Sequence, residues 1–302
     1  MMQLQKEIHS SWPLLKSSKW LGLIKKHEKD LNPILQPYFQ KRSAGEKNPV
    51  IDFLFEYYRF RYSHLMNWSP GIGIRLEKTE LQKPDISELQ LSEESYYIDP
   101  KTIPESRINS FQWISEILTS SSEKPPSFGC FGMHEWAMVY NAENVRHSYL
   151  SLRMPKDQIA EFVESRPLVC THFDAYRFFT ADAKPLNKYD PDRENFSEFE
   201  QSGCIHTNMD LYKWAFKGYP WISSELIREA FFLALEARTI DMKASPYDLQ
   251  DYGYQPIRIE AENGRHEYLE KQKLIHKKSQ SIRTKLILAY GDIIQCFNLQ
   301  NN

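Results

Sequence analysis

The stretch SSELIREAFFLALEARTI, residues 223–240, decides the fold class. Its apolar positions recur at intervals of four, three, four and three residues, namely Leu226, Ala230, Leu233, Ala237 and Ile240. This spacing places them on one side of an α-helix, as a stripe that packs against a core. Ser223 or Ser224 can cap the first turn, because a serine hydroxyl accepts a hydrogen bond from a free backbone amide there. The stretch therefore predicts a core-facing helix in a mainly helical protein.

A second long helix is predicted downstream, over residues 264–297. A turn region with Pro246, Gly253 and Pro256 separates it from the first helix. Within 264–287 there are seven Lys and Arg side chains and two Glu, so the outer face of this helix is basic. A solvated helix face is the ordinary reason for such a charge pattern.

The N-terminal residues 1–45 are predicted to form a basic helical segment. Between residues 15 and 42, apolar and basic positions alternate at helical spacing, and Pro33 and Pro37 interrupt them. A proline inside a helix removes a backbone donor and kinks the chain. Two short helices joined by a kink are therefore expected here.

The segment between this region and the middle of the chain is less regular. Residues 50–68 are apolar almost all round and predict a buried helix. Residues 72–105 are acidic and contain several prolines, which indicates a surface loop with short strands. A helix is expected from Glu105 to Leu118, followed by a loop over 120–126. We predict one mainly α domain over 1–302, with a few short strands in an α+β arrangement.

Composition limits the classes of protein to which this chain belongs. It has 302 residues, with 38 Lys and Arg against 40 Asp and Glu and a net charge of −2. This balance excludes a strongly basic nucleic-acid-binding domain, so any contact with nucleic acid is expected only through the local basic faces. No stretch approaches ~20 consecutive apolar residues, and the N-terminus lacks the pattern of a signal peptide. A cytoplasmic protein with reduced cysteines and no membrane contact is expected.

Residues 127–216 are expected to form an irregular region that carries the functional site, because short apolar segments alternate with turns there. Three segments of this region place a histidine shortly after a cysteine: Cys130 and His134, Cys170 and His172, Cys204 and His206. Imidazole, thiolate and carboxylate are the common protein ligands of zinc and iron, and a catalytic site needs three ligands with one open position. Convergence of the three histidines predicts one divalent ion, iron or zinc.

The metal hypothesis rests on convergence, since no established metal motif is present. HEWAMVY, residues 134–140, begins like the HExxH zinc helix but has Met138 where the second histidine is required. A structural alternative stays open, because buried cysteine and histidine often serve only in packing.

Carboxylates are the second set of candidates. Asp174 and Asp210 are surrounded by aromatic residues, where desolvation raises the pKa of a carboxyl group and suits it to acid–base work. His172 lies two residues before Asp174, so on an extended segment both side chains would leave from the same face. Ion pairing of the two aspartates with Arg177 and Lys213, each three residues on, is the structural alternative.

Six segments of the chain carry a family resemblance. They are EKNPVIDFLFEYY (46–58), PGIGIRLE (70–77), FGCFGMHEWAMVY (128–140), CTHFDAYRFFT (170–180), GCIHTNMDLYKWA (203–215) and DMKASPYDL (241–249). These segments resemble a family of bacterial proteins named 3-methyladenine DNA glycosylase. The resemblance implies hydrolysis of the N-glycosidic bond of a damaged or modified nucleobase, and it assigns no catalytic roles.

The first function hypothesis follows this resemblance and takes a nucleobase or nucleoside as the small-molecule substrate. Aromatic side chains would stack on the base, and a carboxylate would stabilise the developing positive charge on the sugar or guide a water molecule. The stacking candidates are Trp136, Phe173 and Trp214, and the carboxylate candidates are Asp174 and Asp210.

The second hypothesis is a metal-dependent enzyme that acts on a small molecule. His134, His172 and His206 would be the ligands, while Glu135, Asp174 or Asp210 would act as a further ligand or base. A third hypothesis, a non-catalytic binding protein, stays open beside the two enzymatic ones.

Overall fold

The computed structural model describes residues 8–301, and it is mainly helical with a small sheet, as the sequence predicts. The helices are α1 Ser17–Ser43, α2 Tyr62–Met66, α3 Glu105–Glu123, α4 Met133–Ala137, α5 Lys156–Glu164, α6 Phe173–Tyr176, α7 Phe196–Phe199, α8 Ile205–Lys217, α9 Ser224–Ala244 and α10 Glu262–Asn301. The strands are β1 Leu14–Leu15, β2 Arg75–Glu77, β3 Leu89–Leu91 and β4 Ser95–Ile98. None of the described helices is long and apolar enough to cross a membrane.

The centre of the fold is the pair α8 and α9, against which α10 packs, and α3 covers the other side of α10. The predicted helix over 223–240 is confirmed. The Ser223 hydroxyl caps α9 by accepting a hydrogen bond from the Leu226 amide, and the apolar stripe is buried. Helix α8 is buried on almost every side, so its polar residues must find partners inside the protein.

The predicted C-terminal helix is confirmed and extends over 40 residues as α10. Part of its basic face meets α9, because Lys278 pairs with Glu236 at 2.7 Å and Lys285 pairs with Glu229 at 2.6 Å. Its inner face carries the buried Arg283, which donates to the Asn208 side chain of α8 at 2.8 Å. This contact fixes α8, which carries much of the site described below.

The four strands form one small sheet in the order β1, β2, β4, β3. Strand β1 runs parallel to β2, and the other pairs are antiparallel. The short strands expected within 72–105 are therefore present. Beneath them, a small cluster of Trp20, Ile24, Trp68 and Leu76 joins the sheet to α1.

The N-terminal segment differs from the expectation of two short helices. Helix α1 runs without a break through Pro33 and Pro37. Both prolines lie on the exposed side, where water can satisfy the carbonyl groups that lose their amide partners. The opposite side buries Leu31, Leu35 and Tyr38 in the main core, and this packing keeps the helix continuous.

The prediction of one helix over 50–68 is wrong. A single wide helical turn, Phe53–Tyr57, is followed by a break and then by α2. The break lies at Arg59, whose φ of 55° belongs to the left-handed region and cannot continue a right-handed helix. The chain then turns so that the Phe60 ring stacks on Phe216 of α8, with ring centroids 4.1 Å apart.

The loop expected over 120–126 is shorter than predicted, because α3 continues to Glu123. The start of α3 at Glu105 is as expected. Serine side chains near its end donate to backbone carbonyls of the preceding turn, as Ser122 does to Thr119 at 2.7 Å. Such bonds let a serine-rich stretch stay helical at an exposed end.

Candidate functional site

An open cavity of about 240 Å³ lies between residues 47–57, α4, the loop at 146–149, α6, α8 and α9. Its floor contains buried charged and imidazole groups, among them Glu135, His172, His206, Asp210 and Arg238. Its walls contain the aromatic rings of Phe53, Tyr57 and Phe178. The irregular middle of the chain thus supplies much of this cavity, while α9 and residues 47–57 supply the rest.

The three histidines of the Cys/His segments lie close together, with His172 and His206 at this floor and His134 behind it, which confirms the predicted convergence. The ring centroid of His206 lies 4.4 Å from that of His134 and 5.2 Å from that of His172. His134 comes from α4, His172 precedes α6, and His206 lies in the first turn of α8. Each segment enters the core through its buried or half-buried cysteine, which brings the neighbouring imidazole inside.

The structure divides these histidines between two groups of potential ligands. The first group, called here the His134 cluster, consists of His134, His206 and Asp241, and all three side chains are buried. His134 Nε2 lies 2.7 Å from Asp241 Oδ1, and His206 Nε2 lies 3.9 Å from Asp241 Oδ2. Their ligand atoms all lie within 4.8 Å of one another, close enough for a single metal ion to bind all three.

A buried arginine holds the carboxylates around the His134 cluster. Arg238 Nη1 donates to Glu135 Oε1 at 2.7 Å and to Asp241 Oδ2 at 2.8 Å. Burial alone would raise the pKa of Glu135, but the charges of Arg238 and His134 lower it to about 2. Both carboxylates are therefore ionised at neutral pH, and Asp241 is available as a ligand.

The second nitrogen of His134 contacts a thiol. Cys130 Sγ lies 3.3 Å from His134 Nδ1. A hydrogen bond from Cys170 and the charge of His134 outweigh burial and hold the pKa of Cys130 well below its ordinary value. Cys130 and Cys204 both line a small closed pocket behind the open cavity. Burial raises the pKa of Cys204 to about 12. Cys130 is therefore the more acidic of these two thiols, and its contact orients the His134 ring.

The second group of ligands, called here the His172 cluster, consists of His172, Glu200 and Asp210. His172 Nε2 lies 3.3 Å from Glu200 Oε1 and 3.3 Å from Asp210 Oδ2. Burial raises the pKa of Glu200, while the charge of His172 opposes this effect. All three side chains are at most 5% exposed, so this is a buried ionic group.

Asp210 is the most heavily bonded member of the His172 cluster. Lys213 forms an ion pair with Asp210 Oδ2, and the Tyr58 hydroxyl donates to Oδ1 at 2.8 Å. Burial would raise the pKa of Asp210, but Lys213 and His172 together hold it well below its ordinary value. Asp210 is thus an ionised carboxylate at the cavity floor.

Asp174 lies in a different environment from the one expected. The chain is extended at His172 but begins α6 at Phe173, so His172 and Asp174 do not share one face of a strand. Asp174 is partly exposed at the cavity edge, where it pairs with Arg177 at 3.1 Å and with Lys213 at 3.5 Å. The expectation of an extended segment is wrong because the aromatic residues of 173–179 fold back onto the core as a helical turn.

The predicted stacking residues lie outside this cavity. Trp136 is fully buried, and its indole donates to the Ala244 carbonyl at 2.8 Å. Phe173 and Trp214 line a neighbouring cavity of about 440 Å³ together with Trp113. The two cavities share Asp174 and Asp210. The aromatic rings that do line the first cavity are Phe53, Tyr57, Tyr149 and Phe178.

Comparison of the chain with protein-family models, with curated proteins and with solved structures gives no match. The resemblance to the 3-methyladenine DNA glycosylase family therefore stays a prediction, and the chemistry must be argued from the geometry of the site.

Sequence reasoning missed Asp241, Arg238 and Glu200. The ion pairs of Asp210 with Lys213 and of Asp174 with Arg177 were the structural alternative that it left open, and both are present. A signal exists for Asp241, because it lies four residues after Ala237 and so continues the apolar stripe of α9 with a charged residue. A charge at a core-facing position requires a partner inside the protein. No comparable pattern marks Glu200, which follows a four-residue helix in an irregular segment.

Proposed function

We propose that this chain is a metal-dependent enzyme that acts on a small molecule, with one divalent ion, iron or zinc, held by the His134 cluster. The observation that carries this proposal is the set of two buried imidazoles and one buried carboxylate within 4.8 Å of one another beside an open cavity. Two histidines with one carboxylate are the donor set of many iron(II) and zinc enzymes, in which the remaining positions stay open to substrate or water.

The chemistry of the donors supports the fit. Ligand atoms of a tetrahedral site with bonds of about 2.0–2.1 Å lie about 3.3 Å apart. His134 and Asp241 are at hydrogen-bond distance, 2.7 Å, and His206 lies 3.9 Å from Asp241, so an ion would replace the hydrogen bond and draw His206 closer. Cys130 would accept a hydrogen bond from His134 Nδ1–H, and Arg238 would hold Asp241, as outer partners of metal ligands commonly do.

Access to the ion would come through His206. This side chain lines both the open cavity and the small closed pocket behind it, whereas His134 lines only the closed pocket. Glu135 lies at the cavity floor as an ionised carboxylate paired with Arg238, where it can accept a hydrogen bond from bound water or substrate. A bound ion would supply Lewis-acid chemistry at this floor.

Replacing His206 with glutamine tests the metal ligand directly. Loss of an outer partner of a metal ligand costs 10–100-fold in affinity, so loss of a ligand is expected to weaken zinc or iron(II) binding by at least about 100-fold. The measurement is metal content per chain in protein purified without an affinity tag, together with titration after chelator treatment. Activity on any identified substrate should fall with the metal.

His147→Gln is the matched control, because His147 lines the same cavity but belongs to neither cluster. This variant should keep the metal. Equal metal content in wild type and His206→Gln, with both proteins folded, would remove the His134 cluster as a metal site.

The second candidate function is N-glycosidic hydrolysis of a damaged or modified nucleobase, and the walls of the cavity favour it. Phe53 and Tyr57 present aromatic rings next to the ionised Asp210. Two cations line the same cavity: Lys47 lies over the ring of Tyr149, and Arg146 lies over the ring of Phe178. A base could stack on the rings, the two cations suit a phosphate, and the carboxylate could stabilise a positive sugar.

Two aspartate variants test this candidate. Asp210→Asn should abolish release of free base from modified nucleosides, nucleotides or DNA, because asparagine keeps the shape of the side chain and removes its charge. Release is measured by chromatography on protein shown to be folded by circular dichroism. Asp174→Asn is the control, since Asp174 is a partly exposed ion-pair partner, and it should change the free energy of unfolding by under about 1 kcal/mol. Base release that survives Asp210→Asn and stops in Asp174→Asn would reverse these two assignments.

A further inference from the structure

We propose that the His172 cluster is a second divalent cation site, adjacent to the first, so that the centre binds two ions. The inference rests on the proposed function in that it extends one metal site to two, but it depends on different residues. His172, Glu200 and Asp210 supply one nitrogen and two carboxylates, and none of them belongs to the His134 cluster.

The first argument is the spacing of the ligand atoms. His172 Nε2 lies 3.3 Å from one oxygen of Glu200 and 3.3 Å from one oxygen of Asp210. A charge-assisted N–H···O bond is shorter, about 2.7–2.9 Å. In contrast, about 3.3 Å is the separation of two ligands around a tetrahedral ion with bonds of about 2.0–2.1 Å. Both contacts thus have the separation of two ligand atoms around one metal ion, and both are long for hydrogen bonds.

The second argument is a set of buried polar atoms without hydrogen-bond partners among the described residues. They are His172 Nδ1 and Glu200 Oε2, and the hydroxyl of Thr207 lies beside the Glu200 carboxylate. Glu200 Oε2 belongs to the carboxylate whose other oxygen faces His172, so one cation could bind both oxygens. Native proteins rarely leave buried carboxylate oxygens unsatisfied, and an unoccupied ion position is one of the recognised reasons.

The third argument concerns charge. Glu200 and Asp210 are two buried carboxylates; the ammonium group of Lys213 pairs with Asp210, and the imidazole of His172 faces both. The Tyr58 hydroxyl donates to the other oxygen of Asp210 and carries no charge. A divalent ion would neutralise both carboxylates at once, and to do so it must compete with Lys213 for Asp210.

The place of the cluster in the fold suits a second ion near the first. The rings of His172 and His206 stack with centroids 5.2 Å apart, so the two clusters are direct neighbours. His172 and Asp210 line the open cavity, and Asp210 and Glu200 line the larger cavity beside it. Two adjacent ions stabilise both the attacking and the leaving oxygen in hydrolysis, which points to a hydrolysed ester, amide or phosphate bond.

Metal titration of the full chain tests the second site. After chelator treatment, wild-type protein is titrated with Zn²⁺ or Mn²⁺ alone, and bound ions per chain are counted by elemental analysis and calorimetry. Two ions are expected in wild type and one in Glu200→Gln. Glu198→Gln is the matched control, since Glu198 is exposed two residues away, and it should bind two.

Lys213→Met supplies an independent readout, because it removes the competing ammonium group without touching a proposed ligand. The second ion is expected to bind at least tenfold more tightly in this variant. Unchanged or weaker binding of the second ion in a folded Lys213→Met protein would count against the site.

The outcomes separate the two metal proposals. One ion in both wild type and Glu200→Gln, lost in His206→Gln, would overturn the second site and leave the first. One ion that is lost in Glu200→Gln and kept in His206→Gln would overturn the first site and support the second. Two ions retained in Glu200→Gln would show that Glu200 is no ligand and would overturn the second site as described. Absence of bound ions in folded wild type would overturn both.

Discussion

Replacing Arg238 with methionine is expected to lower the free energy of unfolding by about 3–5 kcal/mol, the usual cost of removing one partner from a buried ion pair. Arg238 is 2% exposed and is bonded to both Glu135 and Asp241. Methionine fills similar space but leaves two buried carboxylates without their shared cation. Urea unfolding followed by circular dichroism measures the change.

The matched control is Lys278→Met, which removes the cation of the exposed pair between α10 and Glu236. An exposed pair contributes under about 1 kcal/mol, so this variant should be close to wild type. Adding Glu135→Gln to Arg238→Met removes one of the two uncompensated charges and should restore part of the lost stability. An Arg238→Met protein as stable as Lys278→Met would show that Arg238 is not the main counter-charge of Glu135 and Asp241.

The second large effect expected is a loss of stability in mild acid that depends on His27. This imidazole is fully buried between α1, α2 and α9; its Nε2 donates to the Leu65 carbonyl at 2.8 Å, and its Nδ1 accepts from Arg228 at 3.0 Å. Burial lowers the pKa of His27 to about 4, and the charge of Arg228 adds to this effect. The folded protein therefore holds a neutral ring that the unfolded chain protonates near pH 6.5.

The direction in which the free energy of unfolding changes with pH follows from these two pKa values of His27. Between pH 6.5 and about 4 the unfolded state binds the extra proton, so the stabilisation from the neutral ring is complete above pH 6.5 and is lost as pH falls. The full difference is about 3 kcal/mol. The measurement is the free energy of unfolding of wild type and His27→Gln at several pH values from 4 to 7.

The difference between the two proteins isolates His27, because burial also lowers the pKa of His147 to about 4 and both proteins keep that residue. Wild type should lose more stability than His27→Gln across this range. Parallel curves for the two proteins would contradict a neutral, buried His27.

Much of the fold could be predicted from periodicity alone. The apolar stripe of α9 and the long pattern of α10 are local features, and both helices lie where the sequence predicts them. The failures have a tertiary cause. The break at Arg59 serves the packing of Phe60 on α8, and the continuity of α1 through two prolines depends on a buried face. Neither effect is visible within a window of neighbouring residues.

Some features of the site, too, could be predicted from the sequence, whereas others depend on tertiary contacts. The repeated Cys/His pattern within 127–216 correctly indicated that His134, His172 and His206 converge. Each of the three segments carries a cysteine that is buried or half-buried, and this cysteine draws the neighbouring histidine into the core. The sequence could not show that these histidines belong to two separate clusters. It also could not select Glu200 and Asp241 as partners.

By itself, the sequence determined the helical class, the main core-facing helix and the inward direction of the three Cys/His segments. These properties depend on side-chain spacing along the chain, which hydrophobic burial converts directly into local structure. The tertiary structure alone brings Arg238 and Asp241 of α9 to α4 and joins Lys213 of α8 to Asp174 of α6. Such partners come from segments far apart in the chain, and their pairing energy appears only after helices have packed and excluded water.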